Sequence, residues 1–205
     1  GVVCSTIAYI IKCTHEVIYM KIIKNEEINE DLFSQMIRLD HEVWPADDES
    51  YLPTSYLRRL YENSKDGLFF AVDDEEKLIG YQTLIFVDKD NFHKYYETGD
   101  FMVLKNIGMK KGENILYIYT ANIKEEYQGS GCMKEIGKAI ASWLVEQEAE
   151  GYHVSVAYAE AVTPAGVKTV IGGYGMEPME DVDESGLGHY ILKDGDLLKV
   201  DMVLG

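Results

Sequence analysis

"NIKEEYQGSGCMKEIGKAI", residues 122–140, reads as the end of a strand that passes through a glycine turn directly into a helix. Glycines at 129 and 131 let the chain take turn conformations and leave the backbone uncovered where the helix begins. The first N–H groups of a helix have no partner within it, and the helix dipole adds partial positive charge at that end. Such a turn is built for an anion.

The flanks agree. Residues 115–123, "ILYIYTANI", form the strongest strand signal in the chain. After the turn, Met133, Ile136, Ile140 and Leu144 recur at steps of three and four along 132–150, and Gly151 stops the helix. A Walker loop does not fit, because Gly131 is separated by five residues from Gly137-Lys138 and Ala139 offers no hydroxyl. A Rossmann fingerprint fits poorly, because Lys134 stands at the third glycine position and the turn comes late in the chain.

Upstream, residues 20–24 read as a short strand, and 28–44 follow helical spacing until Pro45. A second short helix is expected in "PTSYLRRLYENSKDG", capped by Thr54 or Ser55 and stopped at Gly67. Residues 68–87 carry two β-rich runs around an acidic turn, a hairpin signature. Residues 88–112 are polar and glycine-broken, so an insertion or loop is expected there. Downstream, "YHVSVAYAEA" is a further strand, Thr163-Pro164 opens a short helix to about Gly173, and 176–204 read as terminal strands. Alternating strands and helices within one unit make an α/β class with a mixed sheet. Residues 1–19 are either an extra strand or an extension ahead of a single domain over 20–205.

Composition narrows the function. At 46% apolar residues the chain can bury a core, and no apolar run reaches membrane-span length. A formal charge of −17 excludes a nucleic-acid binder, which needs a basic footprint. It is first of all what a well-solvated surface carries; the sharper reading is a field that draws a cationic partner such as an amine. Fifteen tyrosines against six phenylalanines suit surfaces half buried and half wet. Cysteines 4, 13 and 132 show no paired spacing, which suits a reducing cytoplasm. "HEVWP" at 41–45 has Pro45 where a zinc helix needs its second histidine, so no metal is expected.

The run Gln128-Gly129-Ser130-Gly131-Cys132-Met133 resembles the pyrophosphate turn of the GNAT superfamily of acyl-CoA-dependent N-acetyltransferases. The likeness extends to "NIKEEYQGSG", to "FFAVDDEEKLIGYQTL" as the family's second and third strands, and to "GGYGMEPM" after the last main helix, about residues 68–178 in all. It implies a mixed, mostly antiparallel central sheet flanked by helices, with splayed fourth and fifth strands. It implies acetyl-CoA as cosubstrate, held along Asn122, Ile123, Gln128, Gly129, Ser130, Gly131, Cys132 and Met133. The acceptor would be a small-molecule or peptide amine attacked directly in a ternary complex, with no nucleic acid or membrane partner. A homodimer is compatible with the sequence and not required by it.

Gln128 stands for the commoner arginine, Met133 for a glycine or alanine, and Ile171 at the position of the family's general-acid tyrosine. Tyr174, three residues on, is the nearest phenol, and Glu113 precedes the strand where some members place a base. Each also has a plain structural reading, as a half-buried aromatic and a solvated carboxylate. Tyr117 and Tyr119 share a strand face and line a pocket or pack; His153 opens the next strand, exposed or satisfied. Cys132 is a small apolar filler, and Lys134 and Lys138 either reach phosphate or stay solvated. A non-catalytic acyl-CoA-binding or partner-binding module on the same scaffold stays open beside the enzyme.

Overall fold

The computed structural model describes residues 8–13, 16–62 and 64–193, with backbone alone over 8–18. The chain starts with an antiparallel pair, Ala8–Cys13 (β1) and Glu16–Lys24 (β2). The expected strand at 20–24 is therefore the second half of β2, and an extra strand precedes it. Helices Glu30–Val43 (α1) and Thr54–Leu60 (α2) follow. Asn29 caps α1 by accepting from the Leu32 N–H. No side chain caps α2: Pro53 occupies that position and Thr54 is already the first helical residue, so the expected Thr54 or Ser55 cap is not formed.

Leu68–Val72 (β3) and Leu78–Val87 (β4) make the expected hairpin, and every residue of both is buried. Residues 88–112 are not merely a loop. Asp88 caps a helix, Lys89–Thr98 (α3), by accepting from the Asn91 N–H, and Gly99 ends it at φ 65°. Then come Gly112–Ile123 (β5), Cys132–Ala149 (α4), Tyr152–Ala161 (β6), Pro164–Lys168 (α5), a π turn over Thr169–Gly173, Glu177–Pro178 (β7) and Gly188–Lys193 (β8). Thr163 caps α5 as its sequence suggests, accepting from the Gly166 N–H. Of the expected terminal strands, residues 194–204 lie outside the described ones.

Among the described residues the sheet has eight strands in the order β1-β2-β3-β4-β5-β6-β8-β7, and β5–β6 is the one parallel pair. Both faces are covered, which is why β3 and β4 read as near-continuous apolar runs. One core joins Phe69, Leu84, Phe86 and Leu116 to Ile136, Ile140 and Trp143 of α4. The other joins Phe70, Tyr81, Ile85 and Tyr117 to α1, α2 and α3. Phe69 meets Trp143 edge-on at 5.5 Å, which ties α4 to the sheet centre.

Candidate active site

The parallel ladder of β5 and β6 stops at Ile118↔Ala159, yet β5 continues to Ile123 and β6 to Ala161. Beyond that pair the strands part. Lys124 N–H bonds the Ile79 carbonyl on the β4 side. Successive amides of an extended chain point to opposite edges, so the Ile123 N–H faces the gap that β6 has left.

A bulge sets what surrounds the gap. Thr83 pairs with Thr120 and Leu84 with Ile118, leaving Tyr119 as the extra residue of β5. Tyr117 and Tyr119 lie on the α1 side ahead of it. Past it, Thr120 and Asn122 also turn to that side, toward Asp40. An unbroken strand would alternate them away.

The gap opens into a cleft of about 740 Å³ lined by residues from α1, β4, β5, the glycine turn, β6 and the 162–174 segment. At its α4 end lies the turn. Gly129 and Gly131 sit at φ 74° and 90°, and a Cβ at either would meet no atom within 4 Å. The amides of Gly129, Gly131, Met133 and Lys134 have no hydrogen-bond partner among the described residues. Gln128 reaches back to the Ile123 carbonyl at 3.4 Å, tying the turn to the strand end. Met133 packs its side chain on the α4 core, so the turn presents backbone. Lys134 is exposed on the cleft wall, whereas Lys138 pairs with Glu135 at 3.2 Å. Cys132 is a buried filler of the α4 core.

At the other end Tyr81 donates to Asp40 Oδ1, and Asn122 Nδ2 donates to the Tyr81 oxygen at 2.7 Å. The Asn122 side chain thus belongs to this polar cluster. Asp40 is 1% exposed, and its Oδ2 has no partner. Burial pushes its pKa up, against the hydrogen bond from Tyr81 and the nearby His41. Gln82 Nε2 and the Tyr119 hydroxyl are likewise buried with no hydrogen bond of ordinary geometry, although Thr120 lies near Asp40 and Tyr56 near Tyr119. All three residues line the cleft, so its wall carries polar groups whose hydrogen-bonding capacity is not filled.

Tyr174 is buried in the cleft wall, and its hydroxyl donates to Gln82 Oε1 at 2.5 Å. Burial holds that phenol protonated, its pKa pushed well up despite the bond to Gln82. Glu113 is not brought into this group. It is exposed at the opposite end of β5, paired in register with His153, and it does not line the cleft. His153 itself sits beside Glu148 at 2.8 Å. His41 binds the Leu52 carbonyl at 2.8 Å, bracing the loop after α1, and no group of three or more His, Cys, Asp or Glu placed to hold a metal occurs among the described residues.

Asp40, Gln82 and Glu160 are cleft residues that the sequence did not disclose. Asp40 carried one signal, an acidic residue among the apolar positions of α1. Gln82 and Glu160 sit inside apolar strands, and only the meeting of distant elements gives them a role.

No family model and no curated protein matches the chain. Solved structures do. The NatC complex bound to Gag peptide and CoA is 15% identical, with 85% of this chain and 98% of that one covered at a TM-score of 0.57. A putative arylalkylamine N-acetyltransferase 7 from the yellow fever mosquito Aedes aegypti is 13% identical over 91% and 93%, also at 0.57. An acetyltransferase of the GNAT family from Staphylococcus aureus Mu50 is 13% identical over 85% and 98%, at 0.53. At such identities the likeness is one of fold, and the fold is the GNAT fold that the glycine turn led us to expect.

Proposed function

We propose that this GNAT-fold chain is an N-acetyltransferase that moves an acetyl group from acetyl-CoA to a primary amine of a small cationic molecule or a peptide. The observation that carries the reading is one cleft with unpaired turn amides at one end and a buried, half-satisfied carboxylate at the other. Acetyl-CoA, when bound, supplies the thioester carbonyl that an amine attacks and the thiolate that leaves.

The amides of Gly129, Gly131, Met133 and Lys134 suit a diphosphate, with the open space over both glycines giving it room. In this reading Gln128, Ser130 and Cys132 shape the turn, and the Ile123 N–H is the donor for a carbonyl oxygen gaining charge. Asp40, steadied by Tyr81 and Asn122, attracts the acceptor's cation. Tyr174, kept protonated by burial, is the hydroxyl available to a departing thiolate once it turns from Gln82. Direct transfer in a ternary complex is supported by Cys132, the turn's thiol, which is buried in the core and unsuited to carrying an acyl group.

Thiol release from acetyl-CoA across a panel of cationic, neutral and anionic acceptors tests the proposal. Turnover confined to neutral or anionic acceptors contradicts the cationic-amine reading, and parallel initial-rate lines contradict direct transfer. The competing reading, a CoA-binding module without turnover, draws on the engagement of Tyr174 with Gln82 and on exposed Ile171 at the usual tyrosine position. Binding of acetyl-CoA with no transfer to any acceptor selects it.

A further inference from the structure

Glu160 is the next residue of β6 after Ala159, the last to pair with β5, and its side chain lies where the two strands separate. That side chain is 23% exposed, within the cleft lining, so it meets whatever enters. Behind it runs an unbroken series of hydrogen-bonding groups. Tyr95 of α3 donates its hydroxyl proton to Glu160 Oε2. The same Tyr95 oxygen lies 3.0 Å from the Tyr117 hydroxyl and 3.1 Å from His189 Nε2. His189 Nδ1 is 2.6 Å from Asp181 Oδ2, and Asp181 stands at the surface, 37% exposed, with the Tyr96 hydroxyl 3.3 Å from its other oxygen. His189 itself is only 8% exposed.

We propose that Glu160 takes the proton the acceptor ammonium must lose, and that Tyr95 and His189 pass a proton outward to solvent beside Asp181. The inference rests on the acetyl-transfer reading above. It also gives α3, a segment the sequence leaves as an insertion, a place in the chemistry.

The relay works from one resting arrangement. Tyr95 has one hydroxyl proton, and it points at Glu160. Tyr117 donates to the Tyr95 oxygen, and His189 Nδ1 donates to Asp181, which leaves Nε2 as the open nitrogen facing Tyr95. Once Glu160 holds the ammonium proton it donates that proton to the Tyr95 oxygen, Tyr95 gives its own proton to Nε2, and the ring, now protonated at both nitrogens, releases the Nδ1 proton beside Asp181. One proton enters at the cleft and one leaves at the surface. The amine keeps its lone pair for attack, Glu160 and Tyr95 return to their starting states, and a half-turn of the His189 ring again presents an open nitrogen to Tyr95. The groups facing this path are Tyr95 and Tyr96 of α3, Tyr117 of β5, Glu160 of β6, His189 of β8, and Asp181 with Glu180 before β8.

The test takes two measurements. In the first, the pH profile of kcat/KM for a cationic amine is recorded for wild type, Glu160→Gln and Tyr95→Phe alongside acetyl-CoA affinity. Loss of the base should cost about 10²- to 10⁴-fold at neutral pH. The deficit should shrink about tenfold per pH unit as solvent deprotonates the amine, while acetyl-CoA affinity stays unchanged. A part that is only structural would not be recovered by raising the pH. In the second, ring ¹⁵N shifts in wild type read which His189 nitrogen carries the proton. The relay expects it on Nδ1, with Nε2 open toward Tyr95. A variant profile parallel to wild type, or a resting ring protonated at Nε2, overturns the relay. If wild type acetylates no amine, the acetyl-transfer reading fails while the ring tautomer still decides the relay. Should Glu160→Gln not fold, Tyr95→Phe carries the first measurement.

Discussion

Gly131→Ala separates the strain of a turn from its work. Gly131 sits at φ 90°, where an L-residue costs about 1–2 kcal/mol, and its added methyl meets no protein atom within 4 Å. Strain is therefore the whole folding penalty. For a chain of this size each kcal/mol lowers Tm by about 2–4 °C, so the loss should be about 2–8 °C. Gly99 provides a matched control. It is also left-handed, at φ 65°, with nothing within 4 Å of its Cβ, but it ends α3 away from the cleft. Gly99→Ala should lose a similar Tm. Only Gly131→Ala displaces amides from the diphosphate, and each hydrogen bond to a charged group contributes about 1.5–3 kcal/mol. Calorimetric titration with CoA should show affinity about ten- to a hundredfold weaker for Gly131→Ala and unchanged for Gly99→Ala. Equal affinities in the two variants, after equal losses of Tm, would refute the assignment of the turn.

Asp40→Asn tests the buried carboxylate through pH. Burial raises the folded-state pKa above the unfolded value, so the native state binds that proton more tightly. The resulting stability is complete below the unfolded pKa and is lost as pH rises through the folded one. The Asn variant lacks this loss, so its Tm relative to wild type should climb from pH 4 to pH 7; a difference independent of pH contradicts the buried charge. The same variant should raise KM for cationic acceptors at least tenfold, with the affinity for CoA unaltered. Tyr174→Phe should lower kcat about 10²-fold as a general acid is lost, and a kcat within twofold of wild type removes Tyr174 from the chemistry. Asp88→Ala should cost about 1 kcal/mol by uncapping α3, read by chemical denaturation. No change there would mean the cap is idle.

The sequence discloses most of the fold, and the reasons are local. The 115–151 stretch combines an alternating strand, two glycines needing positive φ and an apolar helical stripe, and each signal lies within a few residues of the next. The helix at 89–98 was hidden because its buried face is only Phe92 and Tyr95, too few to show a period; its Asp88 cap and Gly99 stop were nevertheless present. The site divides the same way. The turn is contiguous and legible. The polar end is assembled from α1, β4, β5 and β6, and its geometry depends on the bulge at Tyr119, which turns Thr120 and Asn122 toward Asp40. No spacing along the chain reports that. Glu113, plausible by its position before β5, proves to stand at the end of the strand remote from the gap.

The central claim is that unpaired backbone amides at the start of α4 hold a diphosphate. Amide NMR shifts followed while acetyl-CoA is titrated into ¹⁵N-labelled protein read those groups directly. The account predicts saturable downfield movement of the Gly129, Gly131, Met133 and Lys134 amides, accompanied by Ile123 at the strand end. Saturable binding that leaves all five unmoved, or no binding at all, would contradict it.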